Sequence, residues 1–176
     1  MIMNDIPASA VADAAPDLES RAHSDDHFDT RLWLRLMACT NLVEGEIRSR
    51  LRTEHSTTLP RFDLMAQLQR QPAGRKMSEL SRHLMVTNGN ITGITDQLEK
   101  EGLVERIKVL TDRRSSLIRL TPKGKRQFKK MAASHEQWLQ EMFANLSEKA
   151  RANLFEALGE LKLITRNNVA MAARES

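Results

Sequence analysis

Arg113 and Arg114 stand side by side behind Asp112 in the stretch LTDRRSSLIRLT (110–121). A guanidinium presents a planar fork of N–H donors that fits phosphate oxygens, and it suits a narrow minor groove where negative potential is focused. A solvated turn is the plain alternative for two such residues. A second set of candidates lies upstream in TNGNITGITD (87–96). Thr87, Asn88, Asn90 and Thr92 are short polar residues able to hydrogen-bond base edges or phosphates, and Asn pairs bidentately with adenine. Gly89 and Gly93 cost a helix about 1 kcal/mol each relative to Ala. Close approach to a nucleic-acid backbone would account for that cost; loose capping is the competing account.

Little else in the chain offers chemistry. His23, His27, His55, His83 and His135 lack metal-ligand spacing. The single Cys39 excludes an intramolecular disulfide and a cysteine-based zinc site. No Ser-His-Asp pattern, paired-acid constellation, phosphate loop or dinucleotide fingerprint occurs, so no catalytic residue, metal or cofactor is expected. No apolar run approaches the roughly 18 residues of a membrane span. The start MIMNDIPASAVADAAPD has neither the basic opening nor the apolar stretch of a secretory signal. A reducing cytoplasm is the expected setting.

The formal net charge is +4, unevenly spread. Residues 1–29 carry Asp5, Asp13, Asp17, Glu19, Asp25, Asp26 and Asp29 against Arg21 alone. From Arg106 to Lys130 the balance inverts, and Asp112 is the one acid in a Lys- and Arg-rich block. A polyanion partner for that block follows.

These candidates need elements to hold them. Residues 1–27 lack periodicity and read as a disordered acidic tail. From Phe28 to Glu54, Leu32, Leu36, Cys39, Val43, Ile47 and Leu51 recur at helical steps, with Trp33, Met37 and Thr40 widening the face. So broad a face suits a helix packed on two sides, as in a dimer. TLPRFDLMAQLQRQPAG is a short helix ended by Pro72 and Gly74. KMSELSRHLMV is another, with Ser78 as its N-cap, and TNGNITGITDQLEKEG follows after a tight break and stops at Gly102. Two short helices so joined are a helix-turn-helix. Period two then takes over in LVERIKVLTDRRSSLIRLT, predicting an antiparallel hairpin with residues 111–115 as its basic tip. Thr121 caps a helix opening with Pro122, and Ser147 caps a last helix carrying Leu154, Leu158, Leu161 and Ile164. The fold class is mainly α with a small β-hairpin wing. A winged helix-turn-helix domain spans 58–121, and a helical dimerisation region spans 28–57 and 122–172.

On LEKEGLVER (98–106), DRRSSLIRLT (112–121) and TPKGK (121–125) the chain resembles the MarR family of winged-helix transcription factors. The wing pattern is matched by Asp112, Arg114, Ile118, Leu120 and Thr121, and the resemblance covers residues 28–170. It implies a homodimer on a palindromic double-stranded DNA operator, acting as a repressor that a small, often aromatic, effector releases. It puts Arg114 in the minor groove, with Arg113 on phosphate or sharing that role and Asp112 holding the tip. Arg106 and Lys108 serve the hairpin base or phosphates.

LWLRLMACTNLVEGEIRSRLR, TLPRFDLMAQL and MVTNGNITGITDQLEKEGLVER also resemble the subgroup that senses hydroxycinnamoyl-CoA and related aromatic acyl-CoA thioesters in aromatic catabolism. The family's effector pocket then points to Trp33, Met37, Thr40, Asn41, Arg61, Phe62 and Met65, with Arg61 or Arg48 pairing with thioester phosphates. Plain core packing is the alternative for these residues. Two other functions stay open: a thiol-redox regulator acting through Cys39, set against Cys39 as a small buried hydrophobe, and an architectural protein that coats DNA with little sequence preference.

Overall fold

The computed structural model describes residues 27–84, 88–109 and 112–175; at 83–84, 88–90, 108–109, 112–115 and 174–175 it describes the backbone alone. The element order is α1 (Phe28–His55), α2 (Leu59–Gln69), β1 (Arg75–Lys76), α3 (Met77–Leu84), α4 (Asn88–Lys100), β2 (Val104–Val109), β3 (Asp112–Leu120), α5 (Pro122–Phe143) and α6 (Glu148–Glu175). The described residues divide into two units between Asp63 and Leu64. The expected acidic tail lies outside the described residues as far as residue 26.

In the first unit, Asp29 in the first turn of α1 suits the positive helix end. The helix stops at Ser56, whose φ of 49° is left-handed. The apolar stripe read from the sequence is buried toward its C-terminal end, at Ile47 and Leu51, and at Ala38. Leu32 and Trp33 are exposed in the single chain. So is Cys39, which corrects its reading as a small buried hydrophobe.

The second unit holds the main core. Leu64, Met65, Leu68, Leu80, Ile91, Leu98, Leu103, Ile118 and Met131 are essentially inaccessible to solvent. The expected hairpin is present, with Val104 opposite Leu120, Arg106 opposite Ile118 and Lys108 opposite Ser116. Two features correct the sequence reading. A third strand, β1, pairs antiparallel with β3 through Arg75–Ile118 and Lys76–Leu117, giving the order β1-β3-β2. β3 also begins at Asp112, so Arg113 and Arg114 belong to a strand and not to a five-residue tip. A register shift at Lys108/Val109 lets the ladder run that far. Helix α3 starts one residue before the expected cap, Ser78, and Glu79 Oε2 accepts the Lys76 backbone N–H at 3.3 Å.

The junction of α4, β2, β3 and α5 is tightly bonded. Gly102 has a φ of 68° and donates to Glu99 O, while Leu103 N–H reaches Leu98 O, so α4 closes in a Schellman turn. The Thr121 hydroxyl donates to Gly102 O at 2.7 Å and accepts from Gly124 N–H at 3.0 Å. Its own backbone N–H bonds Leu103 O at 3.0 Å. A Cβ at position 124 would collide with the Leu103 carbonyl, so glycine is what lets α5 start there. Along α5, Met131 and Trp138 are buried. Ser147 Oγ accepts from Ala150 N–H and so caps α6 as expected. From Arg151 to Ala173 every residue of α6 is exposed in the single chain.

Gly124→Ala should therefore cost about 1–3 kcal/mol by overpacking, despite alanine's better helix propensity. The check is the urea midpoint at fixed protein concentration. An unchanged or higher midpoint would show that the junction yields easily.

Candidate nucleic-acid interface

Helices α3 and α4 pack through buried Leu80, Ile91, Ile94, Thr95 and Leu98. Thr95 is fully buried, and its hydroxyl donates to Met77 Sδ at 3.7 Å, joining the first residue of α3 to the middle of α4. The opposite face of α4 is exposed at Thr92, Gly93 and Gln97. A Cβ built on Gly93 meets nothing within 4 Å among the described residues, so their packing does not demand glycine there. Among the candidate base readers, Thr87 lies outside the described residues. Asn88, Gly89 and Asn90 form the first turn of α4 by their backbone, and their side chains lie outside the description.

The wing stands beside this helix. Arg106, on β2, is bound to α4 twice: its guanidinium pairs with Asp96 Oδ1 and, at 3.0 Å, with Glu99 Oε2. Asp96 and Glu99 were not singled out from sequence; their i, i+3 spacing on the helix before an arginine-bearing strand was the available signal. On the same hairpin, Arg119 pairs across the ladder with Glu105 at 2.7 Å. Lys123 Nζ reaches Glu101 O at 2.8 Å. Lys108, Asp112, Arg113 and Arg114 are placed by their backbones on the paired strands, and their side chains lie outside the description. Among the described residues no group of His, Cys, Asp and Glu could hold a metal ion.

The effector candidates are less uniform. In the first unit, Trp33, Thr40, Asn41 and Arg48 are exposed, Met37 and Arg61 are half-buried, and Phe62 is buried. The Thr40 hydroxyl bonds Leu36 O at 2.8 Å. Arg48 is held by Glu44 through both Nε, at 2.9 Å, and Nη2. Met65, in the second unit, is buried. The structure adds Asp63 to the Arg48 neighbourhood. Burial raises its carboxyl above the ordinary 3.8; Arg48 pulls it down and Glu44 pushes it up.

That balance has a pH signature. A raised folded-state pKa means that ionised Asp63 opposes folding, so the penalty is full at neutral pH and fades as pH falls through the raised value to 3.8. Asp63→Asn should unfold at a higher temperature than the parent at pH 7, and the gap should close in acid. A constant gap across pH would mean that the amide acts by packing and not by charge.

A family model described as the MarR family matches residues 57–116. The transcriptional activatory protein BadR of Rhodopseudomonas palustris is 31% identical over 104 residues, which is 58% of this chain and 59% of that protein. The HTH-type transcriptional regulator PecS of Dickeya dadantii is 29% identical, with 61% and 66% covered. The chain thus spans about half the length of the first curated relatives it matches, at 59%, 54% and 43%. The crystal structure of a MarR family transcriptional regulator from Silicibacter pomeroyi is 34% identical, covers 79% of this chain and 94% of its own, and superposes with a TM-score of 0.64. Streptococcus pneumoniae FabT in complex with DNA shares the fold at 23% identity and a TM-score of 0.66.

Proposed function

The chain belongs to the MarR family of transcriptional regulators, and from that premise we propose that it is a homodimeric DNA-binding repressor, released from a palindromic operator by a small aromatic effector. The observation that carries the DNA half is the exposed face of α4 beside the hairpin, with Gly93 exposed where no described residue requires glycine. Thr87, Asn88, Gly89, Asn90 and Thr92 enter the major groove. Arg114 enters the flanking minor groove, Asp112 positions it, and Arg113 and Lys108 meet phosphates. Arg106 acts with them from the hairpin base, its charge already shared with Asp96 and Glu99.

Dimerisation has its own support. The apolar positions Leu154, Leu158, Leu161 and Ile164 are between 38% and 49% exposed along one side of α6, and Phe155 is 77% exposed. A helix in water gains most of its stability by packing such a face. A second protomer that covers α6 supplies that packing. The domains then divide as 28–57 with 122–172 for association and 58–121 for DNA.

For the effector we propose an aromatic acyl-CoA thioester from aromatic catabolism. Trp33, Met37, Thr40, Asn41, Phe62 and Met65 meet the acyl group, and Arg61 or Arg48 meets the phosphates. The exposed thiol of Cys39 favours one second reading, redox control. Cys39→Ser removes a peroxide response under that reading and leaves a thioester response under the first. The sign of regulation is read from a reporter placed behind the operator, since the relative BadR is a transcriptional activatory protein.

Two substitutions test the interface on an operator selected by the protein from random duplexes. Arg114→Ala should weaken binding by about 1–3 kcal/mol with the dimer intact. Unchanged anisotropy titrations would return the arginine to the role of a solvated residue. Gly93→Ala should raise helix stability by about 1 kcal/mol while lowering operator affinity, because its methyl group stands where the DNA backbone comes close. A variant that is both more stable and equally tight would remove Gly93 from the interface. Equal parental affinity for operator and random duplex at fixed salt would favour the architectural reading.

A further inference from the structure

A second cationic site lies where β1 meets α3, on the side of β3 opposite β2. A recess of about 500 Å³ opens there, lined by Gly74, Arg75, Lys76, Glu79, Arg82 and Leu117. That volume is within the range of small-molecule sites, roughly 300–1,000 Å³. Three cations face one carboxylate, and Glu79 Oε2 already accepts the Lys76 backbone N–H. Arg75 is oriented by its Nε, which donates to Gln67 O at 3.2 Å. Lys76 and Arg82 are exposed. Gly74, at a φ of 102°, lets the chain turn into β1 close against β3. A Cβ there would press on Ile118 O at 3.0 Å and Leu117 Cβ at 3.1 Å, so a side chain would be both strained and crowded.

We propose that this recess is a phosphate-binding seat, in which Arg82 and Lys76 pair with the oxyanion and the fixed Arg75 supports them. Planar guanidinium forks and an ammonium within one concavity suit a phosphate group. The seat shares no residue with the proposed groove-reading face of α4. Two sources carry the same chemistry: a backbone phosphate of bound DNA, or a free phosphorylated small molecule. In the second case the route to DNA is short. The recess includes the first turn of α3, whose Met77 touches the buried hydroxyl of Thr95 on α4. The seat itself stands without the DNA-binding reading; only the DNA arm below rests on it.

The test titrates the full chain with inorganic pyrophosphate, read by calorimetry against sodium chloride of matched ionic strength. Saturable binding is expected. The double variant Lys76→Gln with Arg82→Gln should weaken it at least about tenfold, the size of one lost charge-assisted bond. A control with Lys149→Gln and Arg151→Gln, the same charge change on exposed α6, should bind like the parent. No saturable binding beyond the salt control, or equal loss in the control variant, overturns the seat. If the double variant fails to fold, the arginine Nε resonances of the parent decide: shifts of Arg75 and Arg82 on adding pyrophosphate support the seat, and their constancy overturns it.

A second arm uses a 20-base-pair mixed-sequence duplex, a length of about two helical turns. Lower duplex affinity in the double variant, with a salt slope reduced by about 1, supports the seat and identifies a DNA backbone phosphate as its occupant. Pyrophosphate binding lost in the variant with duplex affinity kept supports the seat and identifies a free phosphorylated molecule. A parent that binds no duplex defeats the DNA-binding reading and leaves the pyrophosphate result as it stands.

Discussion

The Thr121 hydroxyl binds three elements together. By donating to Gly102 O and accepting from Gly124 N–H, it joins the end of α4 to the start of α5 at the point where β3 stops. Its backbone N–H, on Leu103 O, fixes the first residue after the Schellman turn to the last residue of the wing. The spacing between an exposed helix face and a strand hairpin is thereby set by short polar bonds and by the missing side chain of Gly124. Loops alone would leave that spacing to fluctuate. In the proposed DNA complex a helix and a wing that meet one duplex together need it fixed, because misplacement of one by about 1 Å forfeits the other's contacts.

Electrostatics follow from that frame. Asp96 and Glu99 put two carboxylates on α4, and free carboxylates near DNA phosphates would repel. Both are paired with Arg106 on β2, and Glu105 is paired with Arg119 on β3. Each pair is substantially exposed, so each contributes little to stability, about 0–1 kcal/mol. What the pairs do is hold acids against the hairpin, which leaves the block from Lys108 to Lys130 with a clear positive sign. Lys123, with its ammonium on Glu101 O, performs a similar service for the negative end of α4.

Most of this frame was readable from the chain. Helical period in 58–74, 76–86 and 87–102, then period two in 103–121, pointed to the helix-turn-helix and the wing. Thr121, Gly102 and Ser147 announced their caps. The third strand was not readable, because two residues have no period and Arg75–Lys76 pair with residues more than forty positions away. The start of β3 at Asp112 was missed for a related reason: a bulge breaks the alternation at Lys108/Val109. The Arg75, Lys76 and Arg82 recess was hidden by the same distance, since Leu117 joins it only through the sheet. Cys39 was misjudged because an apolar stripe tells which residues want cover, and one chain alone does not supply it.

The uncovered side of α6 bears on how an effector could act. In the proposed dimer the separation of the two α4 helices is set by the helices that associate, and those helices bury a stripe that one chain leaves wet. Two arrangements of such a packed interface are discrete and not continuous, because close-packed side chains interlock in only a few ways. Moving a population from about 99:1 to 1:99 takes a 10⁴-fold preference of ligand for one arrangement, about 5.5 kcal/mol. A dimer with two sites shares that demand, so each effector needs only about a hundredfold preference, near 2.7 kcal/mol. One rearranged ion pair and one reseated aromatic ring reach that figure together. Release from an operator therefore asks for no large motion inside the winged domain. It asks that a ligand favour one packing of the associating helices over another, while the Thr121 junction carries each α4 and its wing along as a rigid piece.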